Sequence, residues 1–350
     1  MGKSIGVGIL GGTGYGAGEL LRLLVAHPEV EVISVTSTSK VGAAISSVHS
    51  HLTGFYDLKF SERLDLERLG KCKHSVVFAA LPHGASASGI AELLQHAGAE
   101  TLKLIDLSGD FRLQSATQRQ KHYPEAVASP ELRARFVYGL SEINRESIRA
   151  ASYVANPGCL ASACILAARP FAEGGYRGPI VFDAKTGTSG AGRSPSEAMH
   201  HPTRHSNSAA YKVLEHRHEP EILQGLGDIE GERIESTFVP HLLPTARGIF
   251  ATAHLTLDRE ASTEELRELY RRFYQHSPFV RVRDGSPDLH DVLGSNFCDV
   301  SVFARGKQVV CMATLDNLVK GMAGQAIQNL NLMCGLPETS GLWAPALGPC

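Results

Sequence analysis

Cys159 is the residue whose position in the sequence best suits nucleophilic chemistry. It follows Asn-Pro-Gly and opens the small-residue run CLASACIL, so we expect its sulfur at the N-terminus of a helix. A thiol at a helix start has a lowered pKa, and the free N–H groups there can hold an oxyanion. Cys159 alone would better fit a small buried residue after a turn, whereas the motifs around it favour a nucleophile. Cys164 and Cys311 lie in apolar runs that are typical of packed, unreactive thiols.

A pair of histidines supplies the acid or base that thiol chemistry needs. In HRHEPEI, His216 and His218 flank an arginine, and Glu221 is close behind. The spacing leaves open which histidine acts, since residues two apart share a face in a strand but not in a helix. Two histidines could also ligate zinc, but no third ligand follows at the usual spacing, so we expect no metal site.

Arginines in turns offer sites for a phosphate or a carboxylate. Arg112 lies near Ser108 in SGDFR, Arg193 ends the loop KTGTSGAGR, and Arg247 begins a strand in LLPTARGIF. A guanidinium binds either anion through paired N–H groups, although Arg112 or Arg247 could instead form a surface ion pair.

A glycine loop near the N-terminus indicates a dinucleotide site. The strand-like run IGVGIL leads into Gly11, Gly14 and Ala17, and a helical pattern follows. Gly11 permits a tight turn, Gly14 lets the backbone approach a pyrophosphate, and Ala17 allows the helix to pack on the strand.

The end of the second strand bears on the choice of cofactor. There the sequence VTSTSK places hydroxyls and a lysine where an NAD enzyme usually carries an acidic residue. Ser37, Ser39 and Lys40 therefore favour NADP, although they could also be no more than a polar loop.

These residues need two kinds of scaffold. Through residue 155, strand-like runs alternate with helical patterns, which predicts a parallel sheet with crossover helices. Longer strands follow and suit a mostly antiparallel sheet that is open on one face. We expect an α/β chain with an N-terminal Rossmann-type doubly wound parallel sheet and an α+β catalytic domain that begins near Asn156. The late helix LVKGMAGQAIQNLNLMCG covers the second sheet or returns to the first domain.

The composition excludes several classes of protein. Lys and Arg total 34 against 36 Asp and Glu, with no block of like charge, which disfavours binding to nucleic acid or a membrane surface. No apolar run approaches the ~20 residues of a membrane helix. The 7 cysteines do not form a disulfide framework, and the first residues lack the pattern of a signal peptide, so we expect a cytoplasmic protein.

Segments along nearly the whole chain carry a resemblance to a known family: GGTGYGAGELLRLL, ALPHG, DLSGDFRL, VYGLSE, ANPGC, KTGTSGAGR, HRHEPEI, VPHLLPTARGI and DNLVKGMAGQAIQN. The chain resembles the N-acetyl-gamma-glutamyl-phosphate reductase family, whose NADPH-dependent reaction belongs to arginine biosynthesis. The resemblance implies an NADP-binding domain at 1–155, a catalytic and oligomerisation domain at 156–315, and a C-terminal helix and tail at 316–350. It also implies a homodimer or homotetramer.

The resemblance implies a reaction and a role for each candidate residue. Cys159 attacks an acyl phosphate, phosphate leaves, and the thioester accepts hydride from NADPH, after which His218, or else His216, protonates the hemithioacetal oxygen. The implied substrate contacts are Ser108 and Arg112 for the leaving phosphate, Arg247 for a carboxylate, and Asn156 and Arg193. The implied cofactor contacts are Gly11, Thr13, Gly14, Tyr15, Ala17, Ser37, Ser39, Lys40, Pro82, Gly190 and Asn317.

One stretch departs from the commoner pattern of the family. The segment SPSEAMHHPTRHSNSAAYK (194–212) resembles a sister branch that reduces a carrier-protein-bound aminoadipyl phosphate in lysine biosynthesis. ANPGC and HRHEPEI resemble the arginine branch instead. Because basic residues are few in this region, we expect a free small-molecule acyl phosphate, with a carrier-bound substrate as the alternative. A non-enzymatic NADP-binding sensor is the alternative from another class, and the intact set of Cys, His and Arg argues against it.

Overall fold

The computed structural model describes residues 3–96 and 98–348 of the chain. These residues form two compact units. One unit contains the described residues up to Arg112, together with Tyr123–Pro157 and Met322–Trp343. The other contains Leu113–His122, Gly158–Gly321 and the described residues from Ala344 onward. The expected domain limits at 155/156 and 315/316 stay a prediction. Residues 1–2, 97 and 349–350 of the expected domains lie outside the described part.

The strands are, in chain order, β1 (Ile5–Leu10), β2 (Val30–Thr36), β3 (Phe60–Ser61), β4 (His74–Ala79), β5 (Lys103–Asp106), β6 (Phe136–Tyr138), β7 (Tyr153–Ala155), β8 (Ile180–Thr186), β9 (Ala209–Ala210), β10 (Ser236–Leu242), β11 (Ile249–Thr256), β12 (Val280–Val282), β13 (Cys298–Arg305) and β14 (Gln308–Leu315).

The α-helices are α1 (Tyr15–Val25), α2 (Leu66–Gly70), α3 (Ala85–Leu93), α4 (Ala116–His122), α5 (Pro130–Ala134), α6 (Ser141–Ala150), α7 (Cys159–Glu173), α8 (His201–Arg204), α9 (Glu219–Gly225), α10 (Thr263–Tyr274) and α11 (Gly324–Met333). A π-helical turn over Val319–Ala323 precedes α11.

The sheet of the first unit is parallel throughout, in the order β3-β2-β1-β4-β5-β7-β6. Its central strands are almost continuously apolar and buried, as expected for a parallel sheet covered on both faces. The chain reverses its winding at β1, with β2 and β3 on one side and β4 on the other. Ligands bind at the carboxyl end of such a switch point, where the glycine loop follows β1. The predicted Rossmann-type sheet is confirmed.

The sheet of the second unit has the order β12-β13-β14-β11-β8-β10-β9. Two of its neighbour pairs, β12 with β13 and β8 with β10, are parallel, and the other pairs are antiparallel. Buried residues alternate with partly or fully exposed ones along β8 and β11, so the sheet has one covered face and one open face. On the covered face, α7 packs against β11 and β14, and α10 packs against β13. The predicted mostly antiparallel second sheet is confirmed.

The C-terminal helix α11 belongs to the first unit and buries polar side chains there. The Asn329 side-chain amide donates to the Gly139 carbonyl at 2.8 Å and to Asn156 Oδ1 at 3.1 Å. Gln325 Nε2 donates to the same carbonyl at 3.0 Å and to Ser141 Oγ at 2.8 Å. Because buried amides are costly unless they are hydrogen-bonded, this network fixes the position of α11 in the first unit.

Candidate active site

Cys159 is the first residue of α7, a helix that is otherwise almost entirely buried. The N-cap residue Gly158 provides no side-chain cap, and the first turn contains no acidic residue. Cys159 itself is partly exposed, whereas Cys164, one turn further along, is fully buried. The structure therefore places the candidate thiol where helix N–H groups and the helix dipole favour a negative charge.

A glycine in the π-helical turn lies directly beside this thiol. The Gly321 N–H donates to the Asp316 carbonyl at 2.9 Å. A Cβ on Gly321 would lie 2.6 Å from Cβ of Cys159 and 3.2 Å from its Cα, so any larger residue would have to displace Cys159. Isolated π-helical turns often occur at functional sites. Gly321 was not identified from the sequence, because its closeness to Cys159 is a long-range contact.

The buried carboxylate of Glu221 connects the start of α7 to the start of α9. Its Oε1 accepts the Gly158 N–H at 2.7 Å, and its side chain is 0% exposed. Because Glu221 lies in the first turn of α9, one turn after His218, this bond brings the histidine motif to the N-terminus that carries Cys159. The sequence places Glu221 in the histidine motif but gives no indication of this contact.

His216 and His218 have different environments. The His218 backbone N–H donates to Nδ1 of His216 at 3.1 Å. Burial lowers the pKa of His216 to about 4, and the charges of Arg217 and Lys212 act in the same direction. His216 is therefore neutral near pH 7, with Nδ1 occupied as an acceptor and the proton on Nε2. His218 is the N-cap residue of α9, and the two imidazole centroids lie 4.7 Å apart.

Tyr211 is a further residue of this site that the sequence did not indicate. Its ring contacts the ring of His216 edge-on, with the centroids 5.5 Å apart. Burial raises the pKa of the Tyr211 hydroxyl above its usual range, and Cys159 acts in the same direction.

The glycine loop of the first unit fits the phosphates of a dinucleotide. Gly11 has a φ of +81°, and a Cβ there would lie 2.8 Å from the Ala80 carbonyl oxygen. A Cβ on Gly14, the N-cap residue of α1, would meet nothing within 4 Å, and no side chain caps the helix. Ala17 is buried against the sheet, whereas Thr13 and Tyr15 are only partly covered. An open helix N-terminus without acidic residues favours an anion.

The hydroxyl loop after β2 lies in the same unit as the glycine loop. Ser37 Oγ accepts the Lys40 backbone N–H at 3.2 Å and lies 3.5 Å from Ser39 Oγ. Ser37 is buried, while Ser39 and Lys40 are exposed. The loop thus presents a hydroxyl and an ammonium group to solvent.

The phosphate candidates Ser108 and Arg112 are buried within the first unit. Arg112 donates from Nε to the Asn156 carbonyl at 2.8 Å and from Nη2 to the Leu107 carbonyl at 2.9 Å. Ser108 Oγ donates to Asp106 at 2.7 Å, and burial raises the pKa of that carboxyl to about 6. These bonds give both residues a role inside the protein, and their contact with phosphate stays a prediction.

Asn317 and Arg247 are joined to neighbouring loops of the second unit. Asn317 accepts the Gly248 N–H at 2.9 Å and donates to Ser189 Oγ at 2.9 Å. Arg247 Nη1 lies 3.3 Å from the buried Asp316 carboxylate. Of the remaining candidates, Gly190 and the exposed Arg193 lie in this unit, and Pro82 lies in the first. The predicted cofactor residues are therefore divided between the two units.

The expected lack of a metal site or membrane helix can be examined in the described residues. Within 3–96 and 98–348, no three His, Cys, Asp or Glu side chains are grouped so that they could hold a metal ion. None of the helices in this described part combines the length and apolar character that crossing a bilayer requires.

Comparisons with known proteins identify the family. The family model described as the semialdehyde dehydrogenase NAD binding domain matches residues 6–151. The model described as the semialdehyde dehydrogenase dimerisation domain matches residues 159–317.

Relatives match over nearly full length. N-acetyl-gamma-glutamyl-phosphate reductase of Methanosarcina acetivorans is 46% identical, over 98% of this chain and 99% of its own. The protein of the same name from Symbiobacterium thermophilum is 45% identical, over 97% of each chain. Aspartate semialdehyde dehydrogenase with NADP from Candida albicans has the same fold, with a TM-score of 0.68 and 16% identity over 94% of this chain and 98% of its own. The chain belongs to the N-acetyl-gamma-glutamyl-phosphate reductase family, within the semialdehyde dehydrogenases.

Proposed function

We propose that this chain reduces N-acetyl-L-glutamyl 5-phosphate to N-acetyl-L-glutamate 5-semialdehyde with NADPH, through a thioester on Cys159. The observation that carries the proposal is the placement of Cys159 as a partly exposed thiol on the first residue of buried α7. The histidine motif approaches this helix start through Glu221.

The first half of the reaction forms a covalent intermediate. The Cys159 thiolate attacks the acyl carbon, a C–S bond forms, and the C–O bond to the phosphate breaks as inorganic phosphate leaves. The helix N–H groups at Cys159 stabilise the oxyanion of the tetrahedral intermediate. Dividing the reaction in this way replaces one difficult step with two easier ones.

The second half of the reaction needs a hydride and a controlled proton. The bound cofactor supplies the hydride that reduces the thioester carbon. We assign the proton to His218, which gives it to the hemithioacetal oxygen and takes it back when the C–S bond breaks. The aldehyde then leaves and the Cys159 thiolate is restored. His216, which is neutral and accepts the His218 N–H, is the positioning partner in this assignment.

The cofactor would be held by the glycine loop and the hydroxyl loop of the first unit. The open N-terminus of α1 would receive the pyrophosphate, with Gly11 and Gly14 allowing close approach. Ser39 and Lys40, both exposed after β2, would read the 2′-phosphate that distinguishes NADP from NAD.

The substrate is proposed to be free rather than bound to a carrier protein. The relatives that match over nearly the full length have N-acetyl-gamma-glutamyl phosphate in their names. The test measures NADPH oxidation with free N-acetylglutamyl phosphate and with carrier-linked acyl phosphates at equal concentration. Turnover of the free substrate is expected, whereas turnover of only the carrier-linked substrates would reject the assignment and leave the Cys159 chemistry in place.

The chain is proposed to act as a homodimer or homotetramer in the cytoplasm. The match to a dimerisation domain supports a homo-oligomer. The second sheet offers an open face on which Val181 of β8 is 42% exposed beside the ion pair of Lys185 with Asp183. Light scattering coupled to size-exclusion chromatography distinguishes dimer, tetramer and monomer.

A further inference from the structure

The guanidinium group of Arg204 contains two buried nitrogen atoms that lack a hydrogen-bond acceptor in the described chain. Its Nε and Nη1 are buried, and neither has a hydrogen-bond partner among the described residues. Arg204 ends the short helix α8. Apart from Arg204 and Met199, every residue from 191 to 208 is exposed, so this cation is turned inward from an otherwise exposed segment. Buried N–H groups without an acceptor are costly, and charged ones more so.

Two of the three arginines that the sequence indicated are engaged in other contacts. Arg112 donates to two backbone carbonyls, and Arg247 lies 3.3 Å from the Asp316 carboxylate. Arg204 differs from both because Nε and Nη1 are buried and have no protein acceptor in the described chain. Each of these atoms forms one edge of the guanidinium fork together with Nη2. Such an edge matches the two oxygens of a carboxylate.

The segment that carries Arg204 contacts other residues of the candidate site at both of its ends. At its start, Ser189 Oγ accepts from Asn317, four residues before the Gly321 that contacts Cys159. At its end, Tyr211 contacts the ring of His216. Arg204 therefore lies on a segment that contacts the candidate active site at both ends, and it can hold a group of the substrate there.

We propose that Arg204 binds the carboxylate of the acyl-phosphate substrate that does not react, and so determines substrate specificity. This inference rests on the proposed function, because N-acetylglutamyl phosphate keeps a free α-carboxylate when its other carboxyl group is phosphorylated. The carboxylate supplies the acceptor for one of these buried atoms together with Nη2, and the fork fixes its orientation. The uncharged acetamido group and the phosphate need no contact with this arginine.

The experiment compares two substrates in two enzymes. N-acetylglutamyl phosphate is compared with 4-acetamidobutanoyl phosphate, which lacks only the α-carboxylate. The variants are Arg204→Gln and, as a matched loss of one positive charge in the same unit, Lys307→Gln on the exposed turn between β13 and β14. Arg204→Lys, which keeps the charge but not the fork, is a second probe.

The expected result is a loss of selectivity. For wild type, kcat/KM should be higher with the carboxylate-bearing substrate by roughly tenfold to a hundredfold, the effect of charged hydrogen bonds. Arg204→Gln should lose that factor with N-acetylglutamyl phosphate and leave kcat/KM for the analogue unchanged. Arg204→Lys should lie between the two, and Lys307→Gln should match wild type.

Three results would overturn the inference. Equal losses on both substrates, with or without dissociation of the oligomer, would give Arg204 a structural or interface role. No loss on either substrate would remove Arg204 from recognition, and a selective loss in Arg247→Gln alone would assign the carboxylate to Arg247. A wild-type enzyme that reduces neither compound would instead overturn the proposed function, and this inference with it.

Discussion

Replacing Gly321 with alanine should disable Cys159 while leaving the protein folded. The added Cβ would lie 2.6 Å from Cβ of Cys159, 3.2 Å from its Cα and 3.3 Å from Leu315 Cδ1. Ordinary carbon contacts begin at about 3.5 Å, so Cβ of Cys159 and the methyl group must separate by roughly 1 Å. Cβ and Cα of Cys159 belong to the start of a helix, so they cannot rotate away as the end of the Leu315 side chain could.

The size of the effect follows from this displacement. A misplacement of about 1 Å at a reacting group lowers the rate roughly a hundredfold, whereas overpacking lowers stability by about 1–3 kcal/mol. Gly321 lies outside the left-handed region of φ, so alanine adds a steric conflict without backbone strain. We therefore expect kcat/KM to fall by about two orders of magnitude in a folded enzyme.

The assay combines NADPH oxidation with the rate at which iodoacetamide alkylates Cys159. Gly285→Ala is the control, because a Cβ there meets nothing within 4 Å and Gly285 is also outside the left-handed region. The control should match wild type in both measurements and in its urea midpoint. Activity of Gly321→Ala within threefold of wild type would refute the argument that this glycine sets the position of the thiol.

Three other changes test separate parts of the account. Replacing His218 with asparagine should lower turnover by roughly a hundredfold or more, and by more than His216→Asn does; the opposite order in steady-state kinetics would exchange their roles. Because the pKa of His216 is about 4 when folded and about 6.5 when unfolded, wild type should lose about 2 kcal/mol of stability as the pH falls from 7.5 to 5. His216→Asn, which keeps an acceptor for the His218 N–H, should lack that part of the loss in urea titrations at the two pH values, and an identical loss would contradict the buried neutral imidazole. Lys40→Ala should lower the preference for NADPH over NADH, and equal specificity constants for the two cofactors in wild type would show that this loop does not read the 2′-phosphate.

The sequence predicts features that depend on local pattern. The glycine spacing after a strand, the alternation of strands and helices, and the small-residue run after Asn-Pro-Gly all depend on neighbouring residues. These patterns predicted both sheets, and they predicted a helix start at Cys159, where α7 begins.

Contacts between distant segments could not be read in the same way. Gly321 meets Cys159 because a π-helical turn closes on the start of α7, and Glu221 meets Gly158 because α9 packs against that start. Residue type also did not show which arginines are engaged inside the protein. Arg112 donates to backbone carbonyls, whereas Arg204, which was not a candidate, has buried N–H groups without an acceptor in the described chain.

The central claim is that the acyl group of the substrate is carried by Cys159. The most direct test incubates the enzyme with N-acetylglutamyl phosphate in the absence of NADPH, quenches it in acid and locates any added mass by peptide mass spectrometry. The account predicts one N-acetylglutamyl group on the peptide containing Cys159, its loss when NADPH is added before the quench, and no adduct at that position in Cys159→Ala. An unmodified Cys159 peptide from enzyme that nevertheless reduces the substrate, or an acyl group found on another residue, would contradict it.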